Sequence, residues 1–337
     1  MPEVRVTVAV PTFAADSKLS DCIRSLQAQT LRDFAVVVVD NSGRGMARER
    51  LGEAAGLEII ENTENLGFGA AVNQVYSRSS SPFLATLNDD AVAGPRWIGE
   101  LLAVLESKPD AGMCASQVRL LAGGALDSAG MLICADGSSK QRGHLSSPEE
   151  YRIAEEVLLP SGSAALYRRS MLDEIGGFDE DFFLYCEDTD LGLRARWAGW
   201  KCLYNPEAVV YHAHSHTAGR ATPLKAYYVE RNRLFLLVKN FPAQDLLVAP
   251  LVSLVRYGWH IFFMLRGRGA AAHFREDGNS GVRLAALTIR AHWALLQNWS
   301  KLWKKRSMIR KTARLTPKDF SRLLRAHSIG AREVAEL

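Results

Sequence analysis

Residues 34–39 read Phe-Ala-Val-Val-Val-Val, an apolar, β-branched run too short for a core helix and without a polar face. A strand of this composition is buried on both sides, which puts it inside a sheet covered by helices. Its neighbours repeat the demand. Residues 4–10 (VRVTVAV), 57–60 and 82–87 read as further strands, with helical patterns over 19–29 and 69–76 between them. Strand and helix in alternation predict an α/β fold with a parallel sheet, whose ligands bind at the carboxyl ends of the strands. The unusual residues fall at those ends: Pro11 and Thr12 after the first strand, Asp40 and Asn41 after the second, and Asn88-Asp89-Asp90 after the fourth.

Two adjacent carboxylates at the end of a buried strand repel one another and cost stability unless solvent, a cation or hydrogen-bond donors compensate. Taken alone, Asn88-Asp89-Asp90 reads equally well as a polar turn. Two further features weigh toward chemistry: the acidic cluster Glu187-Asp188-Thr189-Asp190 and the histidine-rich strand end VVYHAHSH at 209–216. A hard carboxylate oxygen from Asp90 and an imidazole from His212 suit Mg2+ or Mn2+, leaving positions open for phosphate oxygens. The acidic cluster opens an expected helix with Leu191, Ala195 and Ala198 on one face and Gly199 at its end. At that helix N-terminus the dipole favours an ionised Asp188, a proton acceptor at neutral pH, although the position also suits a helix cap. Glu187 and Asp190 read as helix-start or salt-bridge residues.

The 337 residues suffice for one large domain, or one with an appendage. Five cysteines, an odd number without a CxxC pair, speak against a zinc cage or a disulfide framework and fit a reducing, cytosolic setting. No secretory signal is readable at the N-terminus. The net charge of +4 conceals an asymmetry: residues 1–240 carry 24 Lys and Arg against 31 Asp and Glu, a net of −7, and residues 241–337 carry 17 against 6, a net of +11. The basic part suits anionic phosphates on nucleic acid or on a membrane.

Residues 246–269 resemble a membrane span until Arg256 interrupts them. Trp259 lies within them, and beyond them come Trp293, Trp299 and Trp303 and the basic run Lys301, Lys304, Lys305, Arg306, Arg310 and Lys311. Apolar and aromatic faces with basic flanks describe helices lying in a lipid interface; a helical subdomain with a solvated basic face is the plainer alternative. No nucleic-acid module accompanies the basic residues, so nucleic acid is not an expected partner. Between the two halves, residues 94–169 mix a helix at 97–107 with short strands, and the polar stretch 136–150 reads as a mobile loop.

The ordered set VAVPTF, VVVVDNS, ENLGFGAAVN, TLNDDA, SGSAALYRRSMLDEIGGFDEDFFLYCEDTDLGLRARWAGW and VVYHAHS resembles the bacterial family 2 glycosyltransferases, especially their rhamnosyltransferase-like branch. The later YYVERNRLFLLVKNFP also resembles that branch. The resemblance implies a GT-A, Rossmann-like mixed sheet flanked by helices over residues 1–240, with a helical basic and apolar extension over 241–337. It implies inverting transfer of a sugar from a nucleoside diphosphate sugar to a glycan or polyprenyl-linked acceptor. Rhamnose from dTDP-rhamnose is the first choice, with UDP-linked galactofuranose or N-acetylglucosamine, or a non-catalytic sugar-nucleotide-binding scaffold, as alternatives.

Carried across, Pro11, Thr12 and Asp40 line the nucleoside pocket. Asn65 and Gly67 belong to a glycine stretch that brings backbone close to the nucleotide. Asn88-Asp89-Asp90 stands at the DxD position, Asp90 holding metal and Asp89 or Asn88 approaching the ribose or a metal-bound water. Asp188 matches the catalytic base and His212 the metal-binding histidine. The family often has another residue between the Asn and the last Asp, and Ala71 stands where relatives often carry glycine. Arg194-Ala195-Arg196-Trp197 resembles the QxxRW element of processive synthases but lies only six residues past Asp188. It is read as helix surface and packing, and the enzyme as non-processive. The expected location is the cytoplasm, peripheral on an anionic inner membrane face. A nucleotidyltransferase would show a glycine-rich basic loop after the first strand, and PTFAADSKLS has none.

Overall fold

In the computed structural model, which describes residues 4–52, 57–213 and 222–336, the valine run is an interior strand of a sheet, one in from its β3 edge. Strands β1 (Val6–Thr12), β2 (Phe34–Asp40), β3 (Leu57–Glu61) and β4 (Phe83–Leu87) lie parallel in the order β3-β2-β1-β4. Side chains alternate across the pleat. Val38 packs with Leu19, Leu26 and Leu101 on one face, while Val37 and Val39 pack with Val72, Val75 and Leu191 on the other. Helices α1 (Ser17–Gln27), α2 (Met46–Leu51) and α3 (Phe68–Arg78) connect these strands.

Beyond β4 the sheet becomes mixed. Short β5 (Ala91–Ala93) leads to α4 (Trp97–Ser107), then β6 (Ala111–Leu120), β7 (Leu126–Ser128), β8 (Met131–Ile133), β9 (Ser139–Gln141) and β10 (Glu155–Val157). Next come β11 (Ala164–Arg168), α5 (Arg169–Ile175), α6 (Glu187–Trp197) and β12 (Lys201–His212). β11 runs antiparallel between β4 and β6, and β12 lies parallel to β6 with β10 antiparallel on its outer edge. The reversal at β11 has a geometric consequence. Its start meets the end of β4, Ala164 opposite Leu87, so the preceding residues 161–163 join the edge that carries Asn88.

Two expectations need correction. Residues 136–150 are not a loose loop: Asp136 is fully buried, β9 pairs with β8, and Pro148–Tyr151 forms a 3-10 turn with a Ser147–Glu150 capping box. Residues 194–197 are not helix surface either, since Arg194, Arg196 and Trp197 are all buried. Arg194 is held by Asp190 at 2.8 Å and by the carbonyls of Ile175, Gly176 and Gly177, which neutralises its charge and satisfies its fork of donors. Asp190 is thus the salt-bridge residue that the spacing suggests.

The chain divides into two compact units. The first holds residues 1–131, 141–195 and 200–217; the second holds 132–140, 196–199 and 218–337. In the second, α7 (Pro223–Asn240) packs on the 32-residue α10 (Gly281–Thr312), and α8 (Ala243–Leu265) on α9 (Gly269–Glu276) and α12 (Ala331–Glu336); α11 (Pro317–Ala326) completes it. The Trp197 ring stacks on Phe320 at 3.8 Å, and the Arg310 guanidinium lies 3.4 Å from the Trp197 ring centre. Arg306 and Arg310 donate to the carbonyls that end α7, those of Val238, Asn240 and Phe241. These cations close a helix C-terminus, where positive charge complements the dipole. They turn inward, unlike the exposed Lys301, Lys304 and Lys311 of the same basic run.

Candidate active site

The Asn-Asp-Asp turn is built by strand register. Asn88 donates its backbone N–H to Ser163 O at 2.8 Å, and Ala91 N–H returns to Asn88 O at 3.1 Å, closing a turn between β4 and β5. The segment is therefore a polar turn and a cluster of functional groups at once. β5 then pairs with the end of β12, Ala91 opposite His212, which sets the histidine beside Asp90. The imidazole Nε2 lies 3.0 Å from Asp90 Oδ1 and 3.3 Å from Asn88 Nδ2. His214 and His216 of the same run lie outside the described residues.

The two adjacent carboxylates have separate partners. Asp89 accepts the Thr12 hydroxyl at 2.6 Å, and Asp90 faces His212. Burial pushes Asp89 up to about 6, the Thr12 hydroxyl opposing and Asp90 adding to the rise. Burial also works against an ionised Asp90, but the hydrogen bond and charge of His212, with Lys18 assisting, carry its carboxyl below the ordinary range. Their different environments let one ionise more readily than the other, which relieves the repulsion evident in the sequence.

Asp127 is the residue of the candidate site that sequence reading missed. Its Oδ2 lies 2.7 Å from His212 Nδ1, fixing the imidazole from behind. Burial disfavours the imidazolium, yet the hydrogen bonds and charges of Asp127 and Asp90 raise His212 to about 9. β7 pairs with β6 at Arg119–Leu126 and Val118–Ser128, while the end of β6 lies opposite His212, and only this three-strand arrangement brings Asp127 to the ring. Within LDSAG the residue reads as a turn former, and 85 positions separate it from its partner.

Asp188 sits in the first turn of α6. Its Oδ2 accepts Gly162 N–H at 2.8 Å, and its Oδ1 accepts Thr189 N–H at 2.6 Å and the Thr189 hydroxyl at 3.2 Å. Gly162 adjoins Ser163, the backbone partner of Asn88, so two adjacent residues tie Asp188 to the Asn-Asp-Asp turn. Burial pushes the Asp188 carboxyl above its usual value, with the Gly162 and Thr189 donors acting against it. The expected dominance of the helix terminus is therefore corrected: burial wins. A raised carboxylate is a stronger base.

Beside it, burial and then the charge of Asp188 push Glu187 up to about 8, so Glu187 keeps its proton at neutral pH; its Oε2 is buried without a hydrogen-bond partner. This has a testable sign. Between an unfolded value near 4.5 and about 8 the folded state holds a proton that the unfolded state has released, so stability falls as pH rises through that window. Glu187→Gln removes the dependence. Urea denaturation is expected to show the variant gaining on wild type between pH 5 and pH 8, by on the order of a few kcal/mol. Parallel profiles would mean that Glu187 is ionised in the fold.

The loop before α6 is strained: Phe183, Tyr185 and Cys186 all have positive φ, near 64–68°, at ~1–2 kcal/mol each. The glycine stretch packs against this loop. Gly67, at φ 88°, opens α3, and a Cβ there would lie 2.2 Å from Phe183 O. Phe68 N–H donates to that carbonyl at 3.0 Å, and Asn65 Oδ1 accepts Gly67 N–H at 2.9 Å. The close backbone approach at Gly67 is thus to the loop preceding Asp188.

Pro11 and Thr12 end β1 beside Asp40, Thr12 being in register with it. Both Asp40 oxygens are engaged, Oδ1 by Ser42 N–H at 2.8 Å and Oδ2 by Ala47 N–H at 2.7 Å, which shapes the turn into α2.

A mixed sheet with a parallel half and an antiparallel β11, flanked by helices, is a GT-A fold. The chain belongs to glycosyltransferase family 2: the family described as "Glycosyltransferase like family 2" matches residues 2–234. It is 31% identical over 254 residues to the N-acetylglucosaminyl-diphospho-decaprenol L-rhamnosyltransferase of Mycobacterium tuberculosis, covering 68% of this chain and 82% of the relative. An O-antigen chain rhamnosyltransferase of Salmonella anatum is 26% identical, over 63% of this chain and 67% of its own length. Among solved structures, GalNAc-T7 with UDP, GalNAc and Mn2+ shares the fold at a TM-score of 0.58 and 13% identity, over 72% of this chain and 49% of its own. The Pyrobaculum calidifontis mannosyltransferase with GDP-mannose and Mn2+ aligns at 0.50 and 18% identity, over 92% and 86%.

Proposed function

We propose that this glycosyltransferase moves L-rhamnose from dTDP-rhamnose to a polyprenyl-diphosphate-linked glycan, with inversion, one residue at a time and with a divalent cation. The observation that carries the reading is the Asp127–His212–Asp90 chain, tied through residues 162–163 to Asp188. The donor set fits a hard divalent cation: one carboxylate and one imidazole face each other, and the imidazole is oriented by a second carboxylate in the way metal-binding histidines usually are. Among the described residues no group of three His, Cys, Asp or Glu has metal-ligand spacing, so Asp90 and His212 would hold Mg2+ or Mn2+ together with substrate oxygens and water. When bound, the cation supplies positive charge against the diphosphate leaving group.

The side chains of the protein do the rest. Asp188 takes the proton of the acceptor hydroxyl as that oxygen attacks the anomeric carbon, while the bond to the diphosphate breaks and its electron pair leaves with the nucleotide. Oδ2 carries one donor against two on Oδ1, which makes Oδ2 the more basic oxygen. Glu187, protonated, adds no charge to oppose ionisation of Asp188. Pro11, Thr12 and Asp40 line the nucleoside side, Asn65 and Gly67 hold the neighbouring loop, and Asn88 and Asp89 face the ribose and its diphosphate. The rhamnosyl donor and lipid-linked acceptor are taken from the curated relatives' names.

The second unit supports work at an anionic membrane surface. Leu247, Leu251, Leu254, Ile261 and Leu265 recur along α8 at helical spacing and are more than half exposed. Ile289, Trp293 and Leu296 do the same on α10, flanked by exposed lysines. α8 is also long and apolar enough to cross a membrane. Buried Arg256 within it, paired with Asp136 and Glu230, favours a helix lying in the interface over one that spans. The test is turnover with dTDP-rhamnose, UDP-galactofuranose or UDP-N-acetylglucosamine, a prenyl-diphosphate-linked acceptor and Mn2+, in neutral or anionic vesicles. Expected are rhamnose transfer, loss of activity in EDTA, and co-sedimentation with anionic vesicles that falls as salt rises. Exclusive use of a UDP-hexose would overturn the donor. Consumption of no donor would leave a binding scaffold.

A further inference from the structure

Asp127 has a second face, which the transfer step does not use. Its Oδ2 is taken by His212 Nδ1 at 2.7 Å. On the other side, His144 Nδ1 lies 3.4 Å from Asp127 Oδ1 and 3.2 Å from the Asp127 carbonyl oxygen. A carbonyl oxygen only accepts, so the His144 ring carries a proton on Nδ1 and points it at Asp127. The buried Asp127 thus stands between two imidazoles, in a row His144–Asp127–His212–Asp90 whose last step is the 3.0 Å contact of His212 Nε2 with Asp90 Oδ1.

The backbone holds His144 in that place. Residues 142–146 are hydrogen-bonded, before and after the histidine, to the stretch that carries Asp127. Ala129 N–H donates to Arg142 O at 2.9 Å and Arg142 N–H to Gly130 O at 2.8 Å; Leu145 N–H donates to Leu126 O at 2.8 Å and Leu126 N–H to Ser146 O at 2.9 Å. Gly143 at φ 76° and Leu145 at φ 66° flank the ring on either side. A leucine in the left-handed region costs energy that its surroundings must offset, and these four hydrogen bonds do so.

The effect on Asp127 is mechanical. The χ2 of an aspartate is an sp3–sp2 torsion with a broad, shallow preference, so the rotamer of Asp127 does not by itself aim Oδ2 at His212. An N–H on one side and an imidazole on the other fix the plane of the carboxylate. With its Nδ1 proton held by Oδ2, His212 presents Nε2 as the nitrogen whose lone pair can meet a cation.

We propose that His144 is a positioning residue of the candidate metal site: it fixes the Asp127 carboxylate and, through it, the direction in which His212 Nε2 points. The proposal rests on the metal role of Asp90 and His212 argued above. It adds a residue that touches neither proposed ligand and acts only through Asp127.

The test compares His144→Phe, which keeps the bulk of the ring and removes the N–H, with His144→Asn, whose amide N–H stands where Nδ1 does. In the full-length protein, dTDP binding is measured by calorimetry with Mn2+ and with EDTA, and the His212 Nδ1 proton is followed by NMR in EDTA. His144→Phe is expected to lower the Mn2+-dependent part of dTDP affinity by about 10-fold, the low end of what outer partners of a metal-binding histidine supply. It is expected to leave affinity in EDTA unchanged and to move the His212 Nδ1 proton resonance. His144→Asn is expected to restore both. In an Asp127→Ala background, His144→Phe should add no further loss, because the group it acts through is gone. A Mn2+-dependent affinity that His144→Phe shares with wild type overturns the proposal, as does an unmoved His212 resonance. Equal losses in EDTA, a full further loss on top of Asp127→Ala, or no recovery in His144→Asn overturn it too. A His212 resonance that moves in a protein whose dTDP affinity never responds to Mn2+ keeps His144 as the residue that positions His212 and removes the metal reading instead.

Discussion

Asp188→Asn is expected to cut turnover by ~100- to 10,000-fold, the range that a positioned general base contributes. The substitution keeps the size of the side chain and one of its two acceptor oxygens, which can still accept Thr189 N–H, so α6 should start at the same place. It removes the carboxylate in the first turn of α6 that faces Gly162 N–H and can accept a proton. Donor affinity should survive, because the residues proposed to hold the nucleotide and its metal, Thr12, Asp89 and Asp90, are untouched. The kinetic signature is a fall in kcat with little change in the donor KM. Steady-state assays of nucleotide release, with calorimetry of nucleotide binding in parallel, check it. Near-normal turnover in Asp188→Asn would transfer the role of base to another group.

Asp90→Ala is expected to act on a different quantity. It takes away the carboxylate facing His212 Nε2, so the Mn2+-dependent part of donor affinity should drop by about 100-fold or more. Asp127→Asn should have a milder form of the same defect, roughly 10- to 100-fold, since it leaves both proposed ligands but loosens the imidazole. Calorimetry with dTDP in the presence and absence of Mn2+ gives both values. The graded order, Asp90 above Asp127, separates a direct ligand from the residue that orients one. Unchanged nucleotide affinity in Asp90→Ala would remove that residue from the metal site.

The sequence was most informative where one residue type has few structural outlets. A run of valines has only a sheet interior to enter, and β2 extends from Phe34 to Asp40 as that run requires. Likewise Asn88-Asp89-Asp90 ends a buried strand, and local order alone sets it at the sheet edge. The pairing of Asp90 with His212 was read from their ligand chemistry and then from the resemblance, and its geometry depends on the β5–β12 register, which no local pattern encodes. Asp127 was illegible for the same reason: it reaches His212 only after β6, β7 and β12 have assembled. Gly67 was recognised as a site of close approach, but the neighbour it makes room for, the Phe183 carbonyl, lies more than a hundred residues away. Arg194, Arg306 and Arg310 looked like surface charge because sequence shows charge but not the carbonyls and carboxylates that bury it.

The most direct measurement is a crystal structure with Mn2+ and dTDP, the metal located by its anomalous scattering. The expected result is a single manganese peak within ligand distance of an Asp90 carboxylate oxygen and His212 Nε2, with diphosphate oxygens completing its shell and Asp188 Oδ2 open to the same cleft. A manganese peak away from Asp90 and His212, or an Asp188 carboxylate with no access to the cleft holding the diphosphate, would contradict it.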